Sequence, residues 1–226
     1  MQNLKSKKDE KARNNILLDK RLTCKDNIFI FIYISKNMEF DKVVQERHSV
    51  RNYSDKKVNL KDVVKIMDVG RLGPAAGNVH TLKFIVVEDK DKKEEVAHAA
   101  HEQHFIEKAS YIIVVCSDTK QMIRSYGERG KMYAKYQAGA AIENMLLKTV
   151  DLGLGSCWIG AFDEEDIKKI LKIPDEIDIE ALLPIGYSAS KKVERPRVQL
   201  HTIVHKGTFN KSRSFGKVSL GTSKTE

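Results

Sequence analysis

The chain has 226 residues, 41% hydrophobic and 31% charged, with a formal net charge of +9. That length supports one domain with a full core, and the balance excludes a fibrous or low-complexity chain. Three cysteines, Cys24, Cys116 and Cys157, without CxxC spacing, exclude a disulfide framework or zinc ribbon and point to a reducing, cytoplasmic setting.

Residues 1–37 hold nine basic and four acidic side chains, so more than half of the positive excess sits at one end. A polyanion-binding domain is therefore not required, and nucleic acid is not an expected partner. The apolar run Ile28-Phe29-Ile30-Phe31-Ile32-Tyr33-Ile34 is far short of the roughly twenty residues a membrane helix needs. It also lacks the flanks of a signal peptide, so no membrane association is expected. Met38 reads as the functional start. Residues 1–37 are then an ill-ordered basic extension, 38–205 the folded domain and 206–226 a basic tail; an extra edge strand at 28–34 is the alternative.

From Glu39 the pattern becomes regular. A short helix is expected over 40–47, and a second over 60–71 with Leu60, Val63, Val64, Met67 and Leu72 on one face. Gly73-Pro74-Ala75-Ala76-Gly77-Asn78 breaks it into a loop of small residues. Leu82–Val87 is an expected strand, 92–101 a helix, and Ile112–Cys116 a strand buried on both faces. The longest helix is expected over 130–151, with Tyr133, Tyr136, Ala140, Met145, Leu146 and Leu147 as its apolar stripe and Gly153 at its end. Leu154–Ile159 follows as a third strand. Asp163 caps a helix over 164–171, with Pro174 beyond it, and 181–187 is a fourth strand. Such mixing implies one α+β or α/β layered domain.

Several chemistries are excluded. Gly153-Leu154-Gly155-Ser156-Cys157-Trp158-Ile159-Gly160 follows a helix and opens a strand, the reverse of a dinucleotide-binding glycine loop. Its glycines would instead bare backbone N–H groups; a tight turn alone would also explain Gly160. Cys157, in an apolar strand, is a packing residue rather than a nucleophile. His98, His101 and His104 lie among Glu94, Glu95, Glu102 and Glu107 and read as a solvated helix, so no metal site is expected. No catalytic triad, phosphate loop or carboxylate pair is present, so a cofactor must carry any chemistry. The remaining signal is cationic. Arg47-His48-Ser49-Val50-Arg51 concentrates donors suited to a phosphate. Arg195 and Arg197 project to one side of an extended segment. The two groups make sense as one anion site, or are two ordinary surface patches.

Taken in order, these segments resemble the nitroreductase family of flavin enzymes from about Glu39 to about His205. The resemblance rests on Arg47-His48-Ser49-Val50-Arg51, on Pro74-Ala75-Ala76-Gly77-Asn78-Val79-His80-Thr81, and on the helix from Gln137 to Leu147. It is extended by Gly153–Phe162, by Leu183-Pro184-Ile185-Gly186-Tyr187, and by Arg197, Leu200, Ile203, Val204 and His205. It departs from the family at Ala75, His80 and Thr81, where Ser and Gln-Pro are usual. The resemblance implies an α+β, three-layer fold with a mostly antiparallel central sheet flanked by helices, in an intertwined homodimer. It implies FMN as cofactor, NADH or NADPH as hydride donor, and a small electron-poor acceptor such as a nitroaromatic or quinone, reduced in ping-pong order. Arg47, Ser49, Arg51 and Arg197 would hold the phosphate and ribityl chain, helped by Arg195, with His48 offering a backbone or ring contact. Pro74, Ala75, Ala76 and Asn78 would reach the flavin from the second subunit, Gln103 would meet its pyrimidine edge, and Ile159 and Gly160 would offer backbone N–H groups. No side chain is expected to act as acid or base. A basic nucleic-acid-binding module is the competing class; a dehalogenating or flavin-storing homologue is the nearer alternative.

Overall fold

The structure is a computed structural model that describes residues 38–205 and 207–209. The expected N-terminal extension, with its 28–34 run, and nearly all of the expected tail lie outside the described residues. No helix among them is long and apolar enough to cross a membrane.

The elements in chain order are α1 (Phe40–Glu46), α2 (Leu60–Gly70), a 3-10 turn (Ala76–Asn78), β1 (Leu82–Val87), α3 (Lys90–Ala99) and β2 (Tyr111–Asp118). They continue with α4 (Lys120–Tyr126), α5 (Arg129–Asp151), β3 (Gly155–Ser156), α6 (Glu164–Leu171), β4 (Ile177–Gly186) and a second 3-10 turn (Leu200–Thr202). Three helices start where an Asx side chain can bind a free N–H: Asn59 accepts from Lys61, Asp89 from Lys92 and Asp163 from Asp166.

The strands pair antiparallel in the order β1-β2-β4-β3. Alternation along β2 sends Ile112, Val114 and Cys116 to one face, where they pack with Val96 and Ala97 of α3 and Ile167 of α6. Tyr111, Ile113 and Val115 go to the other face, against Val63 and Ile66 of α2 and Ile142, Met145 and Leu146 of α5. Helices therefore cover both faces, which is why the strands read as continuous apolar runs despite their antiparallel pairing. This is the expected α+β three-layer architecture.

Three local readings need correction. The third strand was expected over 154–159 but is regular only at Gly155–Ser156, resuming as a single bridge between Ile159 and Leu182. The register carried between those points places Pro184 opposite Cys157. Proline has no N–H to donate, so the ladder lapses there. The buried face of α2 is Val63, Ile66 and Gly70, while Leu60, Val64 and Leu72 are exposed. Gly70 lies close against Met145, where a Cβ would approach the side chain to 2.8 Å, so the contact turns on the smallest residue rather than on the largest. On α5 the stripe runs instead through Ala134, Ala138, Ala141, Ile142 and Met145, leaving Tyr136 exposed.

Candidate functional site

The pentad is fixed to the sheet edge by its own backbone. Ser49 bridges Ser156 in parallel, and Val50 N–H donates to the Ser156 carbonyl at 2.9 Å. The chain then runs beside the end of β4: Ser54 N–H donates to Tyr187 O and Ala189 N–H to Asn52 O. The Tyr53 hydroxyl lies buried over this seam, donating to Val50 O at 2.9 Å and standing 3.3 Å from Pro184 O. Two glycines permit the approach. A Cβ on Gly155 would come within 2.7 Å of Val50, and one on Gly186 within 2.7 Å of Tyr53.

Pairing 52–54 with 187–189 carries the following segment, 190–197, alongside the pentad. The two basic clusters, far apart in sequence, thereby line one open cleft of about 900 Å3. Its walls include Arg47, His48, Ser49 and Arg51 on one side and Lys191, Lys192, Arg195 and Arg197 on the other. The lysines and Asn52 were not foreseen, although Lys191 and Lys192 continue the same basic run. Among the described lining residues six lysines and arginines face two carboxylates, Glu46 and Glu194. Both carboxylates stand near Lys192, at 3.9 and 3.3 Å, and Lys192 also donates to Gln45 O at 2.7 Å. Arg47 reaches Glu143 of α5 at 3.3 Å. His48 Nδ1 lies 2.9 Å from Glu46 O.

Cys157 lies buried beneath the pentad. Burial pushes its thiol up, while Arg51 and the Ser49 hydroxyl pull it back. Burial also drives the Tyr53 phenol far up. Both shifts keep these two groups neutral at neutral pH, so the negative charge among the described lining residues is that of Glu46 and Glu194.

Ile159 does not offer the N–H expected of it. That group donates to Leu182 O at 3.0 Å, and Leu182 N–H returns the bond at 3.0 Å. Ile159 is a sheet residue, 3% exposed. Gly160 is different: it is exposed, and a Cβ there would meet no atom of this chain within 4 Å. Packing within the chain does not require glycine at that place.

Gln103 stands beside this loop, its amide nitrogen donating to Ala100 O at 2.7 Å and to Ala161 O at 3.0 Å. The amide therefore ties the end of α3 to the residue after Gly160, leaving Oε1 as the atom that could meet a ring. Pro74 and Asn78 are exposed, and Ala75 and Ala76 half-buried, around a turn with φ of +54° at Gly77 and +59° at Asn78. His80 lies 3.2 Å from Asn78 Oδ1 and 3.3 Å from Gln137 Nε2, and Thr81 donates twice to Gln137 Oε1. The two departures from the expected Gln-Pro thus form a polar brace that fixes the turn to α5.

The model of the nitroreductase family matches residues 44–109 and 97–187. A candidate NADH dehydrogenase/NAD(P)H nitroreductase of Archaeoglobus fulgidus is 33% identical over 155 residues, 67% of this chain and 86% of that one. An FMN reductase (NADPH) of Bacillus subtilis is 23% identical over 183 residues, 75% of this chain and 74% of its own. The crystal structure of a nitroreductase family protein from Clostridium novyi superposes with a TM-score of 0.62 at 31% identity, covering 67% of this chain and 86% of that one. With these matches laid over the antiparallel three-layer core, the chain belongs to the nitroreductase family.

Proposed function

We infer that the chain is an oxidoreductase that binds FMN and takes hydride from NADH or NADPH. The observation that carries this reading is the convergence of residues 47–51 and 191–197 on one cleft with a strong cationic excess. That donor set suits a phosphate dianion, because guanidinium groups make paired, charge-assisted bonds to phosphate oxygens. The open space beside Gly160 suits the close approach of a flat ring to backbone. The flavin chemistry named for the Bacillus relative agrees with both.

On this reading Arg47, Arg51, Arg195 and Arg197 bind the phosphate end, with His48 and Ser49 at its margin. Gly160 presents its N–H to the ring, and Gln103 Oε1 accepts from the pyrimidine edge. The chemistry that FMN supplies when bound is uptake of hydride from NAD(P)H and delivery of electrons to a small nitroaromatic, quinone or similar acceptor, in ping-pong order. The protein's own part is to hold, orient and shield.

The same reading makes the protein a homodimer, with Pro74, Ala75, Ala76 and Asn78 serving the site of the other copy. Leu60, Val64, Leu72, Tyr136, Val198, Leu200 and Ile203, all 49% exposed or more, are the kind of apolar surface that a second copy covers. Light scattering at low protein concentration should give twice the chain mass.

The deciding experiment is an anaerobic titration of FMN-loaded protein with NADH and with NADPH. Bleaching of the yellow absorbance, and its return on adding a quinone or nitroaromatic, is the expected result. A colourless protein that takes up no added FMN refutes the reading.

A further inference from the structure

Outside the cleft, the turn after α3 gathers a second set of ligand-type side chains. The three histidines of this region do not share a helix. The helix ends at Ala99, and His101 and Glu102 both take left-handed φ of +58°. Two successive non-glycine residues in that region reverse the chain, and His98 on the last turn then meets His104 beyond it. Their rings lie edge to face with centroids 5.3 Å apart. His101 is not part of the group.

Glu102 stands between the two rings. Its Oε2 is 2.7 Å from His98 Nδ1 and 3.2 Å from His104 Nε2. One ligand atom from each of the three residues lies within 4.8 Å of the others. Ligands at about 2.0–2.2 Å around a tetrahedral zinc ion are separated by roughly 3.3 Å; the His104–Glu102 separation matches that value, and the His98–Glu102 hydrogen bond would open by about half an ångström to admit the ion. The other nitrogen of His104 faces Glu107 Oε2 at 3.9 Å. That is too long for a hydrogen bond, but it is the side from which an outer carboxylate would orient a metal-bound imidazole.

We propose that His98, Glu102 and His104 form a site for a divalent transition-metal ion, with Glu107 as the outer carboxylate. Two imidazoles and one carboxylate select zinc, nickel or copper over magnesium and calcium, which prefer oxygen alone. Three protein ligands leave a fourth position for water. All three side chains are at least 51% exposed, so the ion enters and leaves freely. The ion would pin the 102–104 turn, and Gln103 of that turn already holds the Ala161 carbonyl next to Gly160. The site stands independently of the flavin reading.

The test is a titration of the full chain with zinc ion against a chromogenic chelator, beside H98A, H104A, E102Q and the H98A/H104A double variant. One zinc per chain is expected for the parent, with binding weakened more than about tenfold in each single variant. Cobalt loaded in its place should give the visible absorption of a tetrahedral site in the parent alone. The exposed positions allow a folding control, unchanged melting of every variant in chelator. A parent that binds no zinc, or a double variant that binds it as tightly as the parent, overturns the proposal.

Discussion

Across β2 and β4, Ile113, Val114, Leu182 and Leu183 are fully buried within the two apolar clusters of the core. Along the cleft, Arg51, Arg195 and Arg197 are exposed, with like charges gathered around open space. The first region gains its free energy from burial, so it is stable in its own right and indifferent to ligands. The second contributes nothing comparable to folding, and mutual repulsion among its cations disfavours it until an anion arrives. On the proposed reading, binding capacity in this molecule is held where folding energy is low.

The comparison is broken most strongly from the core side. Leu183→Ala should cost about 2–5 kcal/mol, a fall in melting temperature on the order of 10 °C, readable by thermal denaturation with or without flavin. Gly155→Ala attacks the seam joining the two regions, because the new methyl meets Val50. It should lower stability by about 1–3 kcal/mol and weaken FMN binding as well, since Val50 anchors the pentad. A variant that keeps both properties would show that the seam does not position the cleft. Arg51→Ala belongs to the cleft alone. FMN affinity should drop by about 1.5–3 kcal/mol, tenfold or more, the range for hydrogen bonds to charged groups. The flavin-free melting temperature should not fall. Retention of flavin through dialysis would remove the pentad from the site.

The smallest effect lies at Glu180, a charged residue inside the stable region. The pairing of β2 with β4 shifts between Val115 and Cys116, leaving Glu180 as the extra, bulged residue. Burial pushes its carboxyl up; Ser117 and Lys135 pull it back, and Asp178 and Glu164 raise it further. A carboxyl whose folded value exceeds its unfolded value costs stability once ionised. That cost is absent below the ordinary glutamate range and grows as pH rises through the folded value. Glu180→Gln should therefore melt higher than the parent at pH 8, the gap closing as pH falls to 4. An unchanged gap over that interval would show that Glu180 does not titrate abnormally.

Local sequence determined much of this architecture. The Asx cap at Asp163, the apolar run at 112–116 and the small-residue break at 73–78 act over a few residues, so their consequences can be read in place. The identity of the basic clusters was equally legible, because charge is a property of the side chain. Tertiary structure decided what those clusters do together: pairing of 52–54 with 187–189 brings Arg195 and Arg197 beside Arg47, and no short-range pattern encodes a bond across more than a hundred residues. It also decided which backbone donors stay free. Ile159 and Gly160 are neighbours in sequence, yet Leu182 takes the N–H of the first, while nothing in the chain crowds the second. Pro184 truncates β3 through its absent donor, but only because the register sets it against Cys157. Sequence thus fixes the chemistry that each residue can offer, and long-range pairing selects which offers remain open.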